Sequence, residues 1–359
     1  MYIQTLALFL AFQTLSACQA DQDLGRPLAA SIDFPSPKAA LPVANQVPVE
    51  PAGILFRSAD GGSSWQDLSG GLTMETDVRR IFAGNGQIYL CSGKGLFRGN
   101  NAEAPVWEKM SLLNGPVNAV LIGHSRLYAS VNGQGLFENI PGIESWKHIS
   151  QTLPERNIYS ILENTDGSLI VGSESGLYKS ADGGKHWRQV FAGGMVLDIV
   201  ATNGTLMAGG WEGVQRSTDG GEHWENVLDK NILIKKTKAL PGRFVAILGT
   251  KDPDKFIPEG ITNRLLTSVD NGKNWQRLEQ APLPIQNNNS MDMRLWQTKD
   301  IFDIVQAGEY LFCAFDTGVY RSPDQGISWE RVFHAKGKST YSLVVSGNTV
   351  YVVAGNDGC

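Results

Sequence analysis

Apolar and polar positions in this chain keep changing places over short runs, and the runs are broken by Gly, Asn and Asp. The segments DVRRIFAGNGQIYLCSG (77–93), PVNAVLIGHSRLYASVNG (116–133), NIYSILENTDGSLIVGS (157–173), VLDIVATNGTLMAGG (196–210) and IFDIVQAGEYLFCAF (301–315) share one layout. Each reads as a strand, a tight turn and a second strand. After each comes a short apolar strand such as GLYKS (176–180), a polar turn and a return through tryptophan. Four strands per unit, repeated along the chain, predict an all-β fold of stacked antiparallel sheets.

The turn has a strict spelling. S-x-D-x-G-x-x-W occurs five times, ending at Trp65, Trp187, Trp224, Trp275 and Trp329, with Asp60, Asp182, Asp219, Asp270 and Asp324 in third place. Two worn copies keep a preceding Gly-Leu-Phe and end at Trp107 and Trp146. Neighbouring tryptophans of this series lie 37 to 54 residues apart, a length that suits one four-stranded propeller blade. An aspartate followed by glycine is turn chemistry: the carboxylate takes backbone N–H groups and Gly supplies positive φ. The tryptophan is expected to fold back on its own hairpin, as Trp187 on Tyr178, making each unit a self-contained staple. Acids that decorate every unit alike read as structure rather than catalysis, and His186 and His223 inside two of the turns read as turn residues.

These five turns resemble the Asp-box, or bacterial neuraminidase repeat, family, from about residue 52 to the end of the chain. The resemblance implies a β-propeller. The ends set its size. The chain finishes on TYSLVVSGNTVYVVAGNDGC, two strands with no box, and the repeat region begins on GILFRSADGGSSW, a box hairpin lacking its first two strands. Joined, they complete a seventh blade, which removes free sheet edges. The expectation is a seven-bladed β-propeller of four-stranded antiparallel blades over 52–359.

Ahead of the repeats, an apolar run (6–15) too short to span a bilayer precedes LSAC (15–18). LSAC resembles the bacterial lipobox, although no Lys or Arg precedes the run. The resemblance implies a signal peptide over 1–17, lipidation of Cys18 and a membrane-tethered lipoprotein in the periplasm, outer membrane or cell surface. Asp21 and Asp23 hint at sorting. Six prolines between 27 and 51 mark 18–51 as an extended linker. Net charge is −5, which speaks against nucleic-acid binding, since phosphates need a basic face. Cys91 and Cys313 sit in apolar strands and read as buried free thiols; a bridge to Cys359 stays open. No Cys/His spacing suggests zinc, and neither metal nor cofactor is expected.

A site is expected on the face away from the boxes. The longest spacings come from insertions at 250–263 and 281–300, both of which should project there. Trp211 and Trp296, the two tryptophans outside the repeat, are expected beside them, with Arg294. The first strands add Arg79, Arg80, Asn118, Tyr159, Asp198, Lys235, Lys236, Asp303 and Tyr341, about half of which alternation would turn into a central channel. The layout resembles the photosystem II assembly and stability factor family, which implies a non-catalytic scaffold role for a polypeptide partner; a monomer with a protein or glycan partner is the expectation. Glycoside hydrolases also carry Asp-boxes and need two carboxylates; Asp198, Asp303 and Glu212 are the candidates for that alternative. The sialidase Phe-Arg-Ile-Pro signature is missing, GRPL (25–28) lying in the linker. A lectin stacking sugars on Trp211 and Trp296 is the third possibility.

Overall fold

The computed structural model describes residues 53–72, 76–100, 105–110, 115–140, 145–228, 231–249, 265–278 and 301–355. The chain divides into two units, Met1–Val47 and Pro48–Cys359, and all described residues fall in the second. Among them are 28 strands and no α-helix. The first two, β1 (Leu55–Ser58) and β2 (Gln66–Asp67), wait for partners from the far end of the chain. Six antiparallel sheets then follow, each of four consecutive strands. Blade 1 is β3 (Val78–Gly84), β4 (Gln87–Ser92), β5 (Gly95–Asn100) and β6 (Glu108–Lys109). Blade 2 is β7 (Val117–Ile122), β8 (Leu127–Val131), β9 (Gly135–Asn139) and β10 (Trp146–His148). Blade 3 is β11 (Ile158–Glu163), β12 (Leu169–Ser173), β13 (Gly176–Ser180) and β14 (Arg188–Ala192). Blade 4 is β15 (Val196–Thr202), β16 (Thr205–Gly210), β17 (Gly213–Ser217) and β18 (Glu225–Leu228). Blade 5 is β19 (Leu233–Leu240), β20 (Arg243–Gly249), β21 (Leu265–Ser268) and β22 (Gln276–Arg277). Blade 6 is β23 (Ile301–Ala307), β24 (Tyr310–Phe315), β25 (Gly318–Ser322) and β26 (Glu330–Phe333).

The seventh blade is built from both ends. β27 (Thr340–Ser346) pairs with β28 (Thr349–Gly355), and β28 pairs with β1, Phe56 opposite Val352. The ring is thus clasped by hydrogen bonds between segments at opposite ends of the repeat region. The seven apolar clusters straddle neighbouring blades: one joins Phe56 and Val352 of the closing blade to Phe312 and Phe333 of blade 6.

The box turn is the joint between blades. In all five copies the Ser hydroxyl donates to Asp Oδ1, and the glycine N–H donates back to that hydroxyl at 2.7 to 2.9 Å. Oδ1 also accepts backbone N–H groups from the far side of the turn, as from Lys185 and His186 at 3.1 and 2.9 Å. Oδ2 takes the side chain before the tryptophan: Ser64, His186, His223, Asn274 or Ser328, at 2.6 to 2.7 Å. These bonds depress every box carboxyl. At Asp182 the His186 amide leads, followed by its ring. At Asp60 and Asp219 burial pushes upward and the bonds together outweigh it.

The glycine and tryptophan then face the preceding blade. A methyl group on Gly184 would lie 2.6 Å from the Ile149 carbonyl oxygen, and one on Gly221 would lie 2.4 Å from Ile170. The Trp187 indole N–H donates to Gly184 O and to Ile149 O, both at 3.0 Å, and Trp107 reaches Leu68 O at 3.1 Å. Trp65 packs its ring on Phe333, centroids 4.9 Å apart. Trp187 packs on a cluster that holds both Tyr178 of its own hairpin and Ile149 of the blade before, so the expected staple within one hairpin is only part of the contact. The tryptophan clips its turn to the blade before it, whose apolar side chains supply the larger surface to bury. Basic residues repeat the link: Lys179 donates to Gly220 O, Arg216 to Asn271 O and Arg321 to Gly61 O, each in the next blade's box.

Cys91 and Cys313 are buried free thiols, as expected, and burial pushes the Cys91 thiol up to about 12.

Candidate functional site

Strand order fixes which loops share a face. The start of each innermost strand pairs with the end of the second strand, Val78 with Ser92 and Val196 with Gly210. The turns joining second to third strands and the entries to the innermost strands therefore lie together. The boxes, which join third to fourth strands, lie at the opposite side.

The channel wall is shaped by a repeated irregularity. In blades 1 to 6 the register of the innermost strand shifts near its start, after the first residue in five of them and after the second, Ile234, in blade 5. Such a bulge inserts one residue. A buried residue before the bulge is then matched by another three further on: Val78 and Ile81, Val117 and Val120, Ile158 and Ile161, Val196 and Ile199, Ile234 and Thr237, Ile301 and Ile304, with Ala119, Ser160 and Asp303 buried between them as well. Between them stand consecutive pairs, Arg79–Arg80, Asn118–Ala119, Tyr159–Ser160, Leu197–Asp198, Lys235–Lys236 and Phe302–Asp303. Simple alternation, the basis for expecting half of the polar residues in the channel, does not hold here. β27 has no bulge, and its buried residues, Tyr341 and Leu343, are two apart.

Tyr341 consequently leaves the candidate list. It is buried, its ring stands edge-on to Phe333 at 6.2 Å, and its hydroxyl lies 3.3 Å from both Ala335 N and Lys338 O. It holds a loop rather than lining a mouth.

Two of the three proposed carboxylates, Asp303 and Asp198, are spoken for. Asp303 is fully buried; Lys236 and Lys238 reach its two oxygens at 2.8 and 3.0 Å. Ile304 N donates to it at 2.9 Å, and Leu343 N, on the next blade, at 3.0 Å. Burial pushes its carboxyl up, but the two lysines and these bonds hold it below the usual range. Asp198 does the same between blades 4 and 5, accepting from Ile199 N at 3.1 Å and Thr237 N at 3.2 Å. Burial raises its carboxyl against the pull of Lys238, Lys236 and Arg80. Each aspartate thus ties one innermost strand to the next. Lys238 was missed because it lies beyond the polar pair that marks each strand entry.

Nearer the box-free rim, Arg79 is exposed and pairs with Asp77 at 2.9 Å. Arg80 reaches past blade 2 to Tyr159 O at 3.3 Å. Asn118 donates to Asn132 at 3.4 Å. The Tyr159 hydroxyl donates to Glu174 at 3.1 Å; burial first, then Glu174, pushes it up to about 12. Lys235 is half-buried against Gly249.

Trp211 and Glu212 form the turn between β16 and β17. Trp211 is 40% exposed, and the turn is held from three directions. Trp211 N donates to Met195 O at 2.9 Å, while Gln215 and Asn226 donate to Glu212 O at 2.8 and 2.7 Å. Trp296, Arg294, both insertions, Cys18 and Cys359 lie outside the described residues.

The class of protein is a seven-bladed β-propeller, clasped by its two ends and joined blade to blade by Ser-Asp-Gly-Trp turns. Among solved structures it is similar to the extracellular domain of BT4673 from B. thetaiotaomicron, at 12% identity and a TM-score of 0.58 over 78% of this chain and 37% of that one. It is similar to the GH74 xyloglucanase from Xanthomonas campestris, at 16% identity and 0.55 over 78% and 50%. YCF48, solved bound to D1 peptide, matches at 14% identity and 0.55 over 79% of this chain and 93% of that one. The chain thus spans half or less of the first two. No family model and no curated protein matches the sequence.

Proposed function

We propose that this chain is an exported, lipid-anchored Asp-box propeller that binds a polypeptide partner through its box-free face and performs no chemistry there. The observation that carries this is the use made of Asp198 and Asp303. Both carboxylates are spent on joining innermost strands, Asp303 with two lysines and two amides around it. A glycosidase needs one such group to give a proton to the leaving oxygen and another to attack the sugar or activate water. The same face presents Trp211, Arg79, Asn118 and Tyr159 on a rigid scaffold, the arrangement recognition favours. Export and tethering rest on the apolar run and Cys18, and the likeness to an extracellular domain agrees with them.

The test uses the chain against membrane extracts and against xyloglucan and β-glucan. Expected is retention of a polypeptide by the native chain and by Val106→Ser/Ile327→Ser on the box side, lost in Arg79→Ala/Asn118→Ala/Tyr159→Phe, with no reducing ends released. Release of reducing ends that disappears in Asp198→Asn or Glu212→Gln would overturn it, as would equal retention by the rim variant. Incorporation of labelled fatty acid that survives Cys18→Ser would remove the anchor.

A further inference from the structure

Five large apolar residues stand exposed among the described residues: Val106, Ile140, Trp211, Val269 and Ile327. Four of them lie in the connections between third and fourth strands, on the box side. Trp211 alone is aromatic and alone on the box-free face. The turn is closely packed at its base. A methyl group placed on Gly194 would lie 3.0 Å from Trp211 Cβ and 3.5 Å from Glu212 Oε1, so the base of the Trp211 side chain and the Glu212 carboxylate both lie against this glycine. A methyl group on Gly193 would meet the Phe191 ring at 2.5 Å and Glu212 Cγ at 3.4 Å. An exposed tryptophan and a neighbouring carboxylate therefore sit together over two residues without side chains. The Glu212 carboxylate makes no hydrogen bond or ion pair among the described residues. Gly193 N donates to Ser175 O at 3.3 Å, which brings the neighbouring turn alongside. That turn adds Glu174, held by Asn157 and Tyr159, and Ser175, which donates to Glu155.

We propose that the Trp211–Glu212 turn takes an arginine side chain of the partner polypeptide, its guanidinium stacked on Trp211 and paired with Glu212. The inference rests on the binding role given to this face and names the chemistry of what binds. Charge complementarity selects the occupant: an indole attracts a cation through its negative face, Glu212 stands beside it, and the adjoining turn carries Glu174 and touches Glu155. The planar, forked guanidinium can stack and donate to a carboxylate in one pose, which a lysine ammonium cannot. The turn is already fixed by its three hydrogen bonds, so little order is lost on binding.

The probe is an acetylated, amidated hexapeptide bearing three arginines, titrated calorimetrically into the native chain, with its lysine counterpart and a xyloglucan oligosaccharide alongside. Trp211→Ala should weaken the arginine peptide roughly tenfold, the size of a partly desolvated cation–π contact. Glu212→Gln should weaken it about threefold, as for a rim ion pair, and the lysine peptide should bind more weakly than the arginine one. Equal binding by both variants, equal binding of the two peptides, or binding of the oligosaccharide alone overturns the inference. If a membrane polypeptide is still captured by Trp211→Ala and Glu212→Gln at native strength, the arginine inference fails while the wider role of the face stands.

Discussion

Two adjacent glycines in the third blade's box separate the cost of a turn from the cost of a joint. Gly183 and Gly184 both have positive φ, +72° and +85°. A methyl group on Gly183 meets nothing within 4 Å, whereas one on Gly184 lies 2.6 Å from Ile149 O and 2.8 Å from Ile149 Cβ, in the preceding blade. Gly183→Ala therefore carries only the left-handed penalty of about 1–2 kcal/mol, reduced by about 0.4–1 kcal/mol because alanine restricts the unfolded chain. Gly184→Ala adds overpacking of about 1–3 kcal/mol. It also pushes on the carbonyl that accepts the Trp187 N–H at 3.0 Å, a bond with a net worth of about 1 kcal/mol. The difference between the variants should be about 2–4 kcal/mol, nearly all of it the sum of those last two effects. Urea denaturation followed by tryptophan fluorescence, with circular dichroism as a second probe, measures it. Variants within about 0.5 kcal/mol of each other, the usual scatter of surface substitutions, would refute the reading of this glycine as an inter-blade joint.

Asp303→Asn leaves Lys236 and Lys238 without their carboxylate and should destabilise by about 3–5 kcal/mol, the cost of breaking a buried pair, read as a lower denaturant midpoint. Because the folded carboxyl of Asp303 lies below its unfolded value, its contribution is complete above that unfolded value and is lost as pH falls through the folded one; the native chain should lose more stability than Asp303→Asn on acidification. Asp270 should titrate at about 2 by carboxyl NMR, against an ordinary 3.8, held down first by the Asn274 amide and then by its side chain; a midpoint at the ordinary value would sink the box hydrogen-bond account. Trp187→Phe removes a donor from two carbonyls, whereas the buried Trp65 Nε1 has no partner among the described residues. Trp187→Phe should therefore be the costlier by about 1 kcal/mol, and equal losses in thermal melts would count against it.

Much of this architecture is legible in the residue order because a propeller is built from local contacts. Strand, turn and strand are set by neighbours in sequence, and S-x-D-x-G-x-x-W spells out a closed set of hydrogen bonds within eight residues. The half-blades at the two ends, GILFRSADGGSSW and TYSLVVSGNTVYVVAGNDGC, announce their own pairing, and β1 meets β28 accordingly. The role of the tryptophan was legible only in part. Its turn was plain, but its partner lies about 38 residues away, Ile149 for Trp187, and no local pattern names it.

The candidate site divides along the same line. Arg79, Arg80, Asn118 and Tyr159 were found because a polar residue at a strand entry stands out, while Tyr341 stood out equally and is core. The difference is one bulge, present in six innermost strands and absent from β27, and a bulge is a property of two paired strands. Asp198 and Asp303 look alike in sequence to a pair of catalytic acids; only packing of adjacent strands delivers Thr237 N and Leu343 N to them.

The order of residues by itself determined the number of blades, the boxes and the way the ring closes, since each depends on short-range turn chemistry and on counting. Tertiary structure alone decided which blade each tryptophan clips, which acids became struts, and that Trp211 and Glu212 pack together against Gly194. Those outcomes follow from how one sheet packs against the next, where distance in space no longer tracks distance along the chain.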